Sequence, residues 1–327
     1  MARESRFVAV TCGAVVALGM MPLFEKLAVE SNAGLTGVVL SINLLTVVLL
    51  LQSGWQQRPQ QITSSWRSLL LVGSLASGLV VFLNLWALET TSATHRSVFQ
   101  AMYPAMTAVF AFLLLGERLP AAGYLVIGAM SCGVILMSTG GFRWQLVEGD
   151  LLLLLTLPLM GLCDAWARSA LETLAPQWVA LARFSLGSVV LLLCLSPWLG
   201  SVHWPQGITW LWVGLSSACI GFGINMLYRA MQLKGAAIAA AMMSLAPVVT
   251  LTAEWYWLDA AFQSVELLGM VIVLAGGYLL TRPAFQAGPE QTDSEQTDSE
   301  QTVGKQTVAE QTTDASAGSL LHRDEPG

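Results

Sequence analysis

The chain has 327 residues, 55% hydrophobic and 11% charged, with a mean hydropathy of +0.63, whereas soluble domains carry about 25% charged residues, so an ordinary water-soluble enzyme is excluded. The formal charge of -6 resides in the C-terminal stretch: residues 285–327 hold nine acids and two bases, net -7, which leaves +1 on residues 1–284. A body without basic excess cannot neutralise a phosphate backbone, which excludes nucleic-acid binding.

In hydrocarbon every backbone N–H and C=O must be paired within the chain, so an apolar run of about 20 residues predicts a membrane helix. Ten such runs occur in chain order, near 7–24, 33–52, 67–88, 94–115, 120–140, 150–171, 176–199, 207–231, 235–258 and 264–281. The first follows Arg3 and Arg6 as a signal peptide would, but no small-residue cleavage site precedes Glu25 and Lys26, so it reads as a membrane helix. Short breaks such as Ser31-Asn32, Gln56-Gln57-Arg58-Pro59 and Gly116-Glu117-Arg118 leave little room for an extramembrane domain. Tryptophans favour the headgroup region, and Trp55, Trp66, Trp144, Trp178, Trp198, Trp204, Trp210, Trp255 and Trp257 are expected as anchors at span ends.

Basic residues set the expected orientation. With a cytoplasmic N-terminus, the inner side receives Arg3, Arg6, Arg58, Arg67, Arg118, Arg229, Lys234 and Arg282, and the outer side Lys26, Arg96 and Arg143. Eight against three predicts both termini inside, in a plasma (inner) membrane. Beyond the spans, five copies of a five-residue unit start at Glu290, Glu295, Glu300, Lys305 and Glu310. Polar and acidic, residues 283–327 are expected to form a disordered cytoplasmic tail.

Cys12, Cys132, Cys163, Cys194 and Cys219 lie in apolar stretches without C-x-x-C spacing, and His95, His203 and His322 are scattered singly. They read as core cysteines and isolated histidines, and neither a metal nor a cofactor is expected. No G-x-x-x-x-G-K-[ST] occurs, and Gly221-Phe222-Gly223 lacks the third glycine of a dinucleotide loop.

Sliding the chain against itself by 143 residues aligns Ser53 with Ser196, Trp55 with Trp198, Ser74 with Ser217, Gly78 with Gly221, Ala87 with Ala230, Pro104 with Pro247, Thr107 with Thr250 and Gly133 with Gly276. This register predicts an internal duplication, residues 7–140 and 150–282, with five spans each. An odd span count inserts the second copy with opposite orientation, so the expected fold class is all-α integral membrane, ten transmembrane helices as two inverted five-helix repeats. Inverted copies can exchange conformations, which is the basis of alternating access around a midplane site.

Tyr103-Pro-Ala-Met-Thr107, Leu115-Gly116-Glu117-Arg118-Leu119 and Gly133 resemble the proline, L-G-E and late-glycine pattern that closes an EamA repeat. Ala246-Pro-Val-Val-Thr250, Leu258-Asp259 and Leu274-Ala-Gly-Gly277 are its second copy, and Ala182-Arg183-Phe184 is similar to the arginine-phenylalanine pair that often opens the second helix of a repeat. The chain thus resembles the ten-helix branch of the drug/metabolite transporter superfamily, with two EamA domains. The copies differ: Leu40-Ser41 stands in the first where the second has Arg183-Phe184, and Trp257-Leu258-Asp259 replaces Leu-Gly-Glu. The resemblance implies that helices 1–4 and 6–9 line a central cavity, that helices 5 and 10 are peripheral, and that no ATP site is present.

An ionisable group at the centre of a span costs about 2.5–3.5 kcal/mol on insertion scales and needs a pore-facing, paired or interfacial position. Asp164 and Arg168, at i and i+4, are expected to share a helix face about 6 Å apart along the axis, either as a structural pair or as partners that a charged substrate exchanges with. Gln100 and Tyr103 precede Pro104 and form a candidate substrate-facing patch, while Asn225 and Tyr228 offer a second from the other repeat. Asn43, Asn84 and Ser244 could complete the lining or simply join helices. Glu254, Glu117, Arg118 and Asp259 read as interfacial or capping groups, and Arg183 as a snorkelling residue.

These residues predict a secondary transporter, an exporter of small polar or amphipathic metabolites, amino-acid-like or organic cations, with the lipid bilayer and a small molecule as partners. Proton coupling through Asp164 or a span-end glutamate is a secondary expectation. The alternative is a non-transporting scaffold or sensor with a partner-binding tail. An intramembrane enzyme would need a converging nucleophile and base, which the scattered histidines do not supply.

Overall fold

The computed structural model describes residues 2–31, 34–54, 66–87, 89–91, 93–139, 147–258 and 264–282. Trp55, Trp144, Asp259 and the tail 283–327 lie outside them. Among the described residues every regular element is helical and none is a strand. We number the helices α1 (Ala2–Glu30), α2 (Leu35–Gly54), α3 (Trp66–Ala87), α4 (Ala93–Leu115), α5 (Ala121–Thr139), α6 (Glu148–Ala170), α7 (Pro176–Leu195), α8 (Thr209–Lys234), α9 (Ala236–Met242 continuing as Ala246–Leu258) and α10 (Ser264–Leu280). Among the described residues seven helices are long and apolar enough to cross a membrane, and three shorter apolar stretches, Met102–Leu115, Ala121–Met137 and Ser264–Leu280, occupy the remaining expected runs.

Local chemistry explains the starts and breaks. Pro176 opens α7, where its missing N–H has no intrahelical acceptor to lose. Pro247 interrupts α9: the 3-10 turn Met243–Leu245 precedes it, because its ring excludes a regular α-helical turn behind it. Within α3, Val72–Leu79 winds as a π-helix, a wider turn that redirects the side chains it carries. Large aliphatic residues, including Leu113, Leu125, Leu151 and Leu193, face outward. In a helix that is apolar all round this is the signature of lipid contact rather than of a soluble surface. The expected core cysteines divide: Cys163 is buried, whereas Cys12 and Cys132 are exposed on outward faces.

The packing repeats itself. α1 lies against α8 and α9, and α6 against α3 and α4; α3 meets α7 as α8 meets α2; α5 packs on α10. With an offset of five helices each contact maps onto its counterpart. Thr107 and Thr250, aligned at 143 residues, each bond across to the equivalent helix: Thr107 Oγ1 donates to the Asp164 carboxylate on α6 at 3.2 Å, and Thr250 Oγ1 donates to the Gly19 carbonyl on α1 at 2.6 Å. The helix ends differ in one respect. Lys26, near the C-terminal end of α1, pairs with Glu254 near the C-terminal end of α9 at 3.4 Å. Arg168, near the C-terminal end of α6, instead shares Glu117 with the N-terminal amides of α9.

Candidate functional site

Three ionic groups are buried among the described residues: Asp150 caps the start of α6, and the other two, Arg183 and Asp164, stand among the apolar helices, each held by hydroxyls. Arg183, two turns into α7, is 6% exposed; its Nε donates to Ser77 Oγ at 3.1 Å and its Nη1 to the Tyr228 hydroxyl at 3.1 Å. Ser77 sits in the π-helical stretch of α3, and Tyr228 on α8 is fully buried. Gly187, one turn beyond Arg183, allows this approach, since a Cβ there would lie 2.4 Å from Ser77 Cβ and 3.0 Å from the Gly73 carbonyl. A side chain at 187 would drive α3 and α7 apart and carry Ser77 out of reach.

The second group is Asp164 on α6, 1% exposed. Thr107 Oγ1 donates to its Oδ2 at 3.2 Å, and the Tyr103 hydroxyl also hydrogen-bonds to it. Asp164 and Arg183 lie within electrostatic reach of each other, as does the Cys163 thiol. The guanidinium is nevertheless engaged by Ser77 and Tyr228, and the carboxylate by Thr107 and Tyr103. Burial of either ion alone would cost several kcal/mol, so mutual neutralisation with hydroxyl support is the arrangement that lets both stay. Chemically, it is a charge-balanced centre offering one guanidinium, one carboxylate and two phenols, assembled from α3, α4, α6, α7 and α8.

Three predicted residues, Tyr103, Asp164 and Tyr228, meet in this centre. The expected Asp164–Arg168 pair is not made. Arg168 turns to the helix end, where its Nε lies 3.6 Å from Glu117 and its Nη1 3.7 Å from Glu172. The long side chain reaches half-solvated carboxylates there, and Arg183 supplies the countercharge that Asp164 needs. Arg183 in turn does not snorkel; it is buried. Gln100 is exposed and outside the centre. Asn225 accepts from Arg229 Nε on its own helix at 3.1 Å. Asn84 and Asn43 donate to the Val80 and Val39 carbonyls one turn back, at 2.7 and 2.9 Å, and the Oδ1 of each is buried without a protein donor. Ser244 is buried in the 3-10 turn of α9.

Sequence reasoning did not bring Arg183, Ser77 or Thr107 to the centre: Arg183 read as a snorkelling residue, Thr107 entered only through the repeat register and motif, and Ser77 was passed over. The signal available was Arg183 standing where the first repeat has Leu40, the one buried Lys or Arg among the described residues. Among the described residues, no group of three or more His, Cys, Asp or Glu side chains could hold a metal ion.

Comparison with known proteins agrees with this architecture. The EamA-like transporter family matches residues 6–139 and again 147–282. A WAT1-related protein of Arabidopsis thaliana is 38% identical over 72 residues, which is 21% of this chain and 18% of that protein, so the chain spans less than a fifth of that relative. One solved crystal structure superposes with a TM-score of 0.68 at 15% identity, over 84% of this chain and 96% of the other, a likeness of fold. The apolar helices and the double match make this a multi-pass membrane protein. The chain belongs to the EamA-like transporter family of the drug/metabolite transporter superfamily.

Proposed function

We propose that the protein is a secondary transporter which moves a small polar or amphipathic metabolite by alternating access, with ten spans in two inverted five-helix repeats. The inversion is supported by the helix ends. α1 and α6 are equivalent, yet α1 ends beside the end of α9 and α6 ends beside its start. Equivalent helices running in opposite senses along a common neighbour are what an inverted repeat requires.

The observation that carries the transport reading is the buried Arg183–Asp164 centre, held by hydroxyls from both repeats rather than by direct pairing. Of the two substrate classes considered, an amino-acid-like zwitterion fits better than an organic cation. Its carboxylate complements the guanidinium and its ammonium the Asp164 carboxylate, whereas a lone cation would meet Arg183 with like charge. The distribution of basic residues supports an orientation with both termini cytoplasmic, and export across the plasma membrane is the direction proposed. Asp164 is the group through which proton coupling would run.

Counterflow in proteoliposomes tests the reading: labelled amino acids should exchange against unlabelled substrate, and absence of exchange across a panel of zwitterions and cations would refute it. An unchanged internal pH under saturating substrate would remove proton coupling alone. Deletion of 283–327 should leave the flux intact; retained partner capture without flux in the full chain would favour a scaffold.

A further inference from the structure

The two interrepeat ionic contacts at the helix ends are not accounted for by substrate binding. Glu117 follows α4 and crosses to the other repeat, where its carboxylate accepts from the Ala236 N–H at 3.1 and 2.9 Å and from the Ala237 N–H at 3.3 Å. It thereby occupies the positive end of α9 as a carboxylate cap borrowed from the other repeat. Gly235, which separates α8 from α9, makes room for it. Its φ of 87° suits glycine, and a Cβ there would meet Glu117 Oε1 at 2.8 Å. Arg168 closes the set from α6, at 3.6 Å from the same carboxylate, and Gln232 on α8 donates to the Leu171 carbonyl just beyond α6 at 2.8 Å. Three segments, the ends of α4 and α6 and the start of α9, are tied together at one point.

Its counterpart is Lys26–Glu254, between the ends of α1 and α9 at 3.4 Å. α1 corresponds to α6 and α4 to α9, so both contacts join equivalent helix pairs. The construction is unequal. Glu117 and Arg168 are each 23% exposed and backed by two amides, while Lys26 and Glu254 are 47% and 29% exposed and make a single contact.

We infer that Glu117 with Arg168 and the α9 amides is the latch that closes one face of the transporter, and that Lys26–Glu254 is the lighter latch of the opposite face. This rests on the alternating-access reading above. Opening toward the Glu117 face requires that the end of α4 part from both α6 and the start of α9, which breaks three charge-assisted contacts; opening toward the other breaks one exposed ion pair. The unequal latches bias the resting protein toward opening on the Lys26 side, the outer face in the proposed orientation.

Cys163, buried beside Asp164 and within reach of Arg183, is a native reporter. In the full chain with Cys12, Cys132, Cys194 and Cys219 replaced by Ala, its labelling by a membrane-impermeant maleimide is followed in right-side-out and inside-out vesicles. Glu117→Gln should raise labelling from the Glu117 face about tenfold or more, the weight of charge-assisted bonds, and lower it from the other. Lys26→Gln should do the reverse, by at most about fivefold, as befits an exposed pair. The swap Lys26→Glu with Glu254→Lys should return both rates to those of the parent. Opposite-sided responses support the latches. Labelling from both faces that neither variant shifts, or shifts in the same direction, overturns the latches and leaves transport standing. Cys163 unlabelled from either face in every variant overturns the latches, while counterflow, measured on the same protein, decides alternating access separately. Arg168→Gln provides a second variant should Glu117→Gln fail to give monodisperse protein, with the same expected sidedness.

Discussion

The seam between α3 and α7 and the seam between α2 and α8 occupy equivalent places in the two repeats, yet they are built from different chemistry. In the second, Ser217 Oγ donates to the Ile42 carbonyl at 3.2 Å and Thr46 Oγ1 to the same carbonyl at 2.7 Å, so the hydroxyls end on backbone. Leu40, where Arg183 stands in the other repeat, is 1% exposed and packs with Leu191 and Leu195. Leu191 and Leu195 belong to α7, so Leu40 faces α7 rather than α8, and the α2–α8 seam closes on neutral hydroxyls without a guanidinium. The equivalent seam closes without a guanidinium, and burying one is costly, which supports the proposal that Arg183 is there to bind substrate.

Replacing Arg183 by Leu, so that one seam copies the other, tests the contrast most severely. It should abolish counterflow, a fall of at least about a hundredfold, and cost about 3–5 kcal/mol of stability because Asp164 is left uncompensated. Adding Asp164→Asn should restore most of the thermal stability and none of the flux. Recovery of flux in the double variant would make the pair a structural filler.

Gly187→Ala comes next. Its Cβ would press on Ser77 Cβ from 2.4 Å, and overpacking of this kind costs about 1–3 kcal/mol. A tenfold loss of flux is expected, read together with the unfolding temperature. On the neutral seam, Gly221→Ala finds its nearest neighbour, Thr46 Cγ2, at 3.5 Å, an ordinary contact, and should be silent in both assays.

Tyr228→Phe removes one acceptor from Arg183 and leaves the ring in place. The Nη1 donor is left buried without that acceptor, so a loss of about 1–3 kcal/mol, read as a lowered unfolding temperature together with a raised half-saturation concentration, is the expected outcome. Smallest of all, Gln100→Ala, exposed and outside the centre, should alter flux by less than about twofold.

How far this arrangement could be read from the chain depends on which forces are local. Apolar length and the 143-residue register are properties of contiguous sequence, and they gave the helix positions and the repeated packing. The break of α9 at Pro247 is likewise local chemistry, although no span boundary registered it. The centre was half legible: Tyr103, Asp164 and Tyr228 stand out as polar groups in hydrocarbon. Asp164 was assigned to Arg168 because i, i+4 spacing is visible along one helix, whereas the approach of Arg183 depends on Gly187 and the π-helical turn of α3, which only tertiary packing reveals. Glu117 was legible as a cap, but not as a cap for a helix 119 residues further along the chain.

The central claim is that the Arg183–Asp164 centre is where the substrate is held while the repeats exchange conformations. Counterflow of a labelled zwitterionic amino acid into proteoliposomes, with the parent chain compared against the stable Arg183→Leu, Asp164→Asn variant, addresses it directly. The account predicts saturable exchange by the parent and none by the variant; equal exchange by both would contradict it.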